Sequence, residues 1–319
     1  MSLEAVRDQA WQSRVLVALT LGPEEVAAAD VQTFPFYTLL PYNCPIIAAA
    51  QEALATFESV LLDGPRQPWL EFHGDYLPWH VPAGVVHRAL TGGRAYPWSL
   101  TVRFRSPPPG QLPQFGNDPL LTSTLNALKE ASMTLTGTAR PVMALPVASK
   151  APLAAATREG QRAKYDELTS SFVWEPKSWG SRPASVPVHA YVVAGSGGVG
   201  PADCWSDVRL ASRPFAIEHA PDTDREQSDT EGADSGHDAG QGARERTVGD
   251  VALALCEEFG LQASRGADGS DAAVQVVVCG VELPLSTTLE FAWAALRSPS
   301  GFLDLVIIGQ RQRHREPPP

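Results

Sequence analysis

The sequence predicts an α+β fold in which two copies of one small domain flank a helix-rich domain. Residues 72–78 and 278–284 both read as an apolar strand, a glycine turn and a Leu-Pro exit. In each copy a helical stretch reaches a leucine, Leu90 or Leu296, 13 positions after the leucine of that exit. Each copy then closes with an apolar strand, at 99–104 and at 302–308. A unit that occurs twice in this way indicates two domains of the same fold.

The elements of the first copy follow one another as strand, strand, helix, strand, short helix and strand. Alternating apolar residues predict a strand at 14–21, and a helical stripe with Pro45 in its first turn predicts a helix at 46–61. The remaining elements are strands at 36–40, 69–72 and 99–104 and a short helix at 82–90. This order is typical of a ubiquitin-like β-grasp, in which a mixed four-stranded sheet wraps one helix. Residues 1–106 are therefore assigned to an N-terminal helix and a first ubiquitin-like domain.

The second copy repeats this order around a long acidic stretch. Its elements are strands at 186–193 and 208–217, a helix from Thr247, a strand at 274–278, a helix at 289–296 and a strand at 302–308. Residues 218–246 hold nine acidic residues and three arginines, but no aromatic or branched aliphatic residue. Such a segment buries too little apolar surface to offset its ordering entropy, so a disordered insertion is predicted there. The second ubiquitin-like domain is assigned to 181–310, followed by a polar tail at 311–319.

The chain between the two copies is predicted to form a linker and a helix-rich domain at 107–180. Asp118 and Pro119 are the residue types of a helix N-cap and a first helical position. Leu121, Leu125 and Leu128 recur at helical spacing and predict one buried face. A second helix is predicted at 153–172, after a proline-containing stretch at 141–152.

The composition limits the class of protein. A net charge of −11 argues against a nucleic-acid binder, which normally presents a basic face. The four cysteines include no C-x-x-C pair, which is typical of thiols in a reducing compartment. The sequence contains no run of 18 apolar residues, so no membrane span is expected. These observations together predict a cytoplasmic protein.

No pattern in the sequence indicates catalysis, a metal or a cofactor. His80 and His87 are seven positions apart, but Pro82 lies between them and no third ligand is near. The G-x-S-x-G motif of many hydrolases is missing. The glycine-rich turn at 195–200 lacks the lysine that a phosphate-binding loop needs. We therefore expect no enzyme activity, no metal and no cofactor.

Lysine is scarce, and its placement is informative. Of the 25 basic residues only four are lysines, and all lie between the two copies: Lys129, Lys150, Lys164 and Lys177. A ubiquitin-like modifier ends in a free Gly-Gly tail, whereas residues 317–319 are all proline, so in a conjugation system an acceptor is expected. Lys129 follows Leu128 in the leucine-striped helix, so its side chain is expected about 100° from the buried face. The general alternative is a solvated lysine without a role.

Three motifs of the first copy resemble the autophagy protein 5 family. They read W-L-E-F-H-G at 69–74, L-P-W-H-V-P-A-G at 77–84 and P-W-S-L-T-V-R-F at 97–104. Arg7-Asp8 with Trp11 and Arg14 is similar to the family's opening helix and first strand. The likeness covers most of the chain apart from the acidic insertion.

The resemblance implies a non-catalytic autophagy scaffold. Leu128-Lys129-Glu130-Ala131 is similar to the family's acceptor context, with leucine where the family has methionine. Lys129 would thus be joined by an isopeptide bond to the ubiquitin-like autophagy protein 12, through E1-like and E2-like enzymes. A helix of autophagy protein 16 would bind in a groove between the domains. The complex would then act like an E3 and promote attachment of autophagy protein 8 to phosphatidylethanolamine during autophagosome formation, peripherally at the phagophore membrane.

Two points stay open in the sequence. Trp11 and Arg14 are candidate contacts for autophagy protein 16, because they open the chain near the first strand; ordinary packing and capping is the alternative. The alternative function is a ubiquitin-fold interaction module outside autophagy. A hydrolase with a ubiquitin-like appendage would need a clustered nucleophile and base, which the sequence does not offer.

Overall fold

Two mixed β-sheets, with helices packed on and between them, make up the structure. The computed structural model describes residues 2–26, 33–64, 67–110, 118–172, 183–195, 200–218, 244–262 and 274–311. Most of the acidic insertion, the centre of the glycine-rich turn and the tail beyond Arg311 lie outside the described residues. The predictions made for those segments therefore stay predictions.

The first sheet is built around a parallel central pair of strands. Its strands are β1 (Arg14–Leu21), β2 (Phe36–Pro41), β3 (Trp69–Phe72), β4 (Asp75–Tyr76) and β5 (Trp98–Arg103). They lie in the order β2-β1-β5-β3-β4, with β1 and β5 parallel and the other neighbours antiparallel. Val15, Val17 and Leu19 of β1 are buried because alternate side chains of a strand share one face. Helix α2 (Ile47–Phe57) packs against this sheet.

The second sheet repeats the same topology. Its strands are β6 (Ser185–Gly195), β7 (Val208–Ala216), β8 (Leu261–Gln262), β9 (Gln275–Val278), β10 (Val281–Leu283) and β11 (Leu303–Arg311). The order β10-β9-β11-β6-β7 matches the first sheet strand for strand, with β6 and β11 parallel at the centre and β8 paired to β11. Helix α8 (Val248–Glu258) begins with a capping box between Thr247 and Asp250. The predicted repeat of one α+β domain is confirmed.

The repeated glycine turn has the same backbone geometry in both copies. His73 and Gly74 have φ angles of 53° and 90°, and Cys279 and Gly280 have φ angles of 48° and 79°. Positive φ at both central residues defines a type I′ turn, which matches the twist of a two-stranded hairpin. The turn therefore creates a short strand, β4 or β10, where the sequence indicated only an exit. Each sheet accordingly has more strands than the four predicted.

The short helix of each copy follows this hairpin. These helices are α3 (Ala83–Thr91) and α9 (Leu289–Leu296), and both bury the leucine that closes the repeat, Leu90 or Leu296. In the first copy, Pro82 before α3 forms an isolated β-bridge to Pro45, near the start of α2. In the second copy, Thr288 before α9 forms the corresponding bridge to Thr247, at the start of α8. The two copies therefore correspond in their bridges as well as in their strands.

In its described residues, the middle of the chain forms four helices. They are α4 (Pro119–Thr136), α5 (Arg140–Met143), α6 (Val147–Glu159) and α7 (Arg162–Leu168). The N-cap prediction for α4 is met, since the Asp118 carboxylate accepts a hydrogen bond from the Leu121 amide at 2.9 Å.

The prediction of a single helix at 153–172 is wrong. Gly160 ends α6 in the left-handed conformation, with φ of 68°, and a new helix begins two residues later. Upstream, Pro141 lies in the first turn of α5 and Pro146 is the N-cap of α6, so these prolines begin helices instead of preventing them. Of the three prolines between 141 and 152, only Pro152 lies beyond the first turn of a helix.

The two ubiquitin-like domains contact each other directly. Helix α3 of the first domain packs on β6 and β11 of the second, and the Ala202 amide donates to the Ala89 carbonyl at 2.8 Å. On the same side, the Asn43 amide lies 3.5 Å from the Cys279 sulfur in the repeated turn. Helix α1 (Leu3–Gln12) packs on α9. Within the described ranges, no helix combines the length and apolar character that crossing a bilayer requires.

Candidate acceptor lysine and partner groove

Lys129 lies on α4, the longest helix of the middle block. The neighbouring Leu128 and Ala131 are fully buried, which fixes the helix against the rest of the fold. Lys129 itself is half-buried, and its ammonium lies 3.3 Å from the Asn126 amide oxygen, one helical turn earlier. The predicted offset between the buried stripe and the lysine therefore holds, and the amine is reachable from solvent.

The described residues include two further lysines, Lys150 and Lys164. Lys164 is exposed and forms an ion pair with Glu167 at 2.9 Å. Lys150 is half-buried on α6. Lys177 lies outside the described residues. One turn beyond Lys129, Met133 is more than half exposed, so an apolar side chain accompanies the amine on the helix surface.

Trp11 and Arg14 join the N-terminal helix to the middle block. The Trp11 ring packs on the Tyr165 ring of α7, with centroids 5.0 Å apart. The Arg14 guanidinium donates to the Trp11 carbonyl at 2.6 Å and to the Glu159 carbonyl at 3.4 Å. These contacts give both residues a packing and capping role, and a contact with a partner stays a prediction.

A groove of about 290 Å³ lies next to Trp11, between α1, α7 and the end of α9. Arg162 makes several hydrogen bonds in this groove. Its guanidinium donates to Asp8 at 2.7 Å, to Asp166 at 3.1 Å and to Glu4. The hydrogen bond from Arg162 lowers the pKa of the Glu4 carboxyl. Tyr165 and Arg297 also line the groove, which therefore carries both signs of charge around an aromatic floor.

Sequence reasoning missed Arg162 and Tyr165, because it placed both inside one long helix. The available signal was the spacing of Arg162 and Asp166, an i,i+4 pair typical of a helix surface. The Tyr165 contact with Trp11 spans more than 150 positions, which no local pattern predicts.

The buried cysteines do not provide a nucleophile. Burial raises the pKa of Cys44 to about 12, that of Cys256 to about 11 and that of Cys279 to about 12, which keeps these thiols protonated. In the part of the chain that the structure describes, no group of three or more His, Cys, Asp or Glu side chains is arranged to hold a metal ion.

The fold and the site define a class of protein: two ubiquitin-like domains around a helical block that presents a lysine on an ordered helix. Comparison with known proteins agrees with this class. A model of the family described as "Autophagy protein ATG5, UblA domain" matches residues 10–104. "Autophagy protein 5" of Oryza sativa subsp. indica is 29% identical and aligns over 89% of this chain and 90% of its own length.

Two further relatives extend the comparison. "Autophagy protein 5" of Arabidopsis thaliana is 27% identical over 53% of this chain and 50% of its own length. The crystal structure of Kluyveromyces marxianus Atg5 shares the fold, with a TM-score of 0.65, 15% identity and coverage of 95% of this chain and 99% of that chain. The chain is therefore similar to autophagy protein 5, as its motifs predicted, and this similarity supports a role in autophagy.

Proposed function

We propose that the chain is the acceptor of the ubiquitin-like autophagy protein 12 and that Lys129 supplies the amine. The observation that carries the proposal is the position of Lys129 on a firmly packed helix with its amine open to solvent. An acceptor must present its nucleophile in a fixed direction, because a nucleophile that is already oriented lowers the entropic cost of reaching the reactive geometry.

In this reaction the chain supplies only a nucleophilic amine. The Lys129 amine loses a proton and attacks the thioester carbonyl that holds the carboxyl terminus of autophagy protein 12 on an E2-like enzyme. The C–N bond forms, the C–S bond breaks and the enzyme thiol leaves. The Asn126 oxygen accepts a hydrogen bond from the amine and so restricts the rotamers of the lysine. The chain is non-catalytic in this scheme, since the activation occurs on the enzymes.

The conjugate then works as a scaffold. A helix of autophagy protein 16 binds in the groove between α1, α7 and Arg297, where Tyr165 and Phe172 receive its apolar face and the charged rim pairs with its polar face. The complex acts like an E3 by holding the lipidation machinery for autophagy protein 8 at high effective concentration. It works in the cytoplasm and peripherally at the phagophore membrane, through its partners. These finer roles are supported by the similarity to autophagy protein 5 and by the groove.

The test is a conjugation blot from starved cells that lack the endogenous gene. Wild type is expected to give a heavier band that carries autophagy protein 12, and Lys129→Arg is expected to lose it while the free chain stays at the same level. Lys164→Arg and Lys150→Arg are the matched controls and are expected to keep the band. A band that persists in Lys129→Arg would move the acceptor to another lysine. Loss of the band without loss of autophagy protein 8 lipidation would contradict the scaffold role.

A further inference from the structure

A cavity of about 100 Å³ lies where the first domain, the middle helices and the second domain meet. His80 of the first domain lies at its edge and is exposed. Thr124 and Ala127 of α4 form one wall, and the second domain contributes His189 and Asp304 from β6 and β11. Lys129 is not among its lining residues, so the cavity is distinct from the proposed acceptor site.

Asp304, which lines the cavity, has a carboxylate oxygen without a hydrogen-bond partner. One oxygen of Asp304, Oδ1, lies 3.1 Å from Nδ1 of His189. The other, Oδ2, is buried and has no hydrogen-bond partner, and the side chain of Asp304 is only 6% exposed. A buried carboxylate oxygen without a donor is costly, and such groups are normally satisfied by water, by an ion or by a ligand.

The rest of the lining fits a donor with an apolar arm. All residues that line the cavity belong to the described part of the chain, and none is a lysine or an arginine that could neutralise Asp304. Hydroxyl groups of Ser123 and Thr124 provide further acceptors. Most of the remaining wall is carbon, from Pro45, Pro82 and Ala127.

We infer that this cavity binds a primary alkylammonium group, the chemistry of a small amine or of a lysine side chain. A primary ammonium has three N–H donors; one satisfies Asp304 Oδ2, and the hydroxyls accept the others. Its alkyl arm packs against the prolines and Ala127. The volume suits a few heavy atoms, since a cavity of about 150 Å³ holds benzene. The inference does not depend on Lys129 or on conjugation.

The test is isothermal titration of the purified full chain with n-butylammonium chloride, together with the NMR signals of the His189 ring. Saturable one-site binding with a millimolar dissociation constant and a shift of the His189 signals is expected. Tetramethylammonium, which has charge but no N–H, and n-butanol, which has the arm but no charge, are expected to bind at least tenfold more weakly. Equal binding of tetramethylammonium, or no saturable heat with n-butylammonium, would overturn the inference.

Variants assign the binding to the cavity. Asp304→Asn is expected to weaken n-butylammonium binding at least tenfold, whereas Asp203→Asn, which removes the same charge from an exposed position, is expected to leave it unchanged. Should Asp304→Asn fail to fold, Ala127→Leu tests the same point, because the larger side chain fills the cavity from α4. Unchanged binding in the folded variant would overturn the inference.

A last experiment distinguishes a free amine from the lysine side chain of a polypeptide as the source of the ammonium. The probe is Nα-acetyl-lysine methylamide, which carries the same ammonium on a peptide backbone. Binding comparable to that of n-butylammonium would assign the cavity to a lysine of a polypeptide. Binding of n-butylammonium alone would assign it to a free amine.

Discussion

The backbone of Lys129 is held in a packed helix, whereas the amine at the end of its side chain makes few contacts. Its Cα belongs to a helix in which Leu128 and Ala131 are fully buried, whereas its amine contacts only an amide oxygen among the hydrogen bonds described for it. Lys164, by contrast, forms an ion pair with a glutamate carboxylate. The leucine spacing was enough to predict on which side of the helix Lys129 lies. The Asn126 contact needed the coordinates, because a rotamer is not encoded in spacing.

At the same scale, His87 predicts a pH dependence of stability. His87 is 1% exposed, its ring contacts the Ala95 carbonyl at 2.9 Å, and burial lowers its pKa below the ordinary value of 6.5. As the pH falls below about 6.5, the unfolded chain binds a proton that the folded chain resists. The free energy of unfolding should therefore fall, by up to about 1.4 kcal/mol per pH unit, until the pH reaches the folded pKa.

The measurement is urea unfolding at pH 7.5 and at pH 5.5. The His87→Gln variant is expected to lose less stability between these two pH values than wild type, whatever its stability at pH 7.5. His73→Gln, at an exposed position, is the control and should keep the wild-type difference. An unchanged difference in His87→Gln would assign the acid sensitivity to other groups.

At the scale of elements, the repeated hairpin turn was the strongest signal in the sequence, and it proved to be the same type I′ turn twice. Glycine at the second central position tolerates positive φ, which is why the pattern is visible in the sequence. The helices of the middle block were harder to predict. Proline begins a helix at Pro141 and lies inside one at Pro152, and only the surrounding packing separates these cases.

The two turns differ in their neighbours, and this difference predicts unequal costs of the same substitution. A Cβ on Gly280 would meet the Tyr42 ring of the other domain at 3.3 Å, whereas a Cβ on Gly74 would meet nothing within 4 Å. Gly74→Ala should lose about 1–2 kcal/mol through backbone strain alone. Gly280→Ala should lose about 1 kcal/mol more, because the contact between domains is overpacked.

Calorimetric unfolding of both variants against wild type measures these costs. Because the positions are equivalent in the repeat, each variant is the control for the other. Equal losses would show that the turn of the second domain does not constrain its position against Tyr42.

At the scale of the whole molecule, the three parts share one apolar core and are also joined by polar contacts between distant residues. Asn43 and Cys279 are 236 positions apart, and Tyr165 and Pro299 are 134 positions apart. The sequence predicted the two domains and the block between them, because each has its own local pattern. How they dock could not be predicted, since contacts at such separations have no periodic signature in one sequence.

The Tyr165 contact gives a direct test of this docking. Its hydroxyl donates to the Pro299 carbonyl at 2.8 Å, and both groups are buried, so α7 is tied to the second domain. Tyr165→Phe keeps the ring on Trp11 but leaves the carbonyl without this donor, which should cost about 1–3 kcal/mol of unfolding free energy. Tyr37→Phe, at an exposed tyrosine, should change the free energy of unfolding by less than about 0.5 kcal/mol. Hydrogen exchange should show α7 opening separately from β11 in Tyr165→Phe. If α7 and β11 still exchange as one unit, this hydrogen bond does not hold the helical block to the second domain.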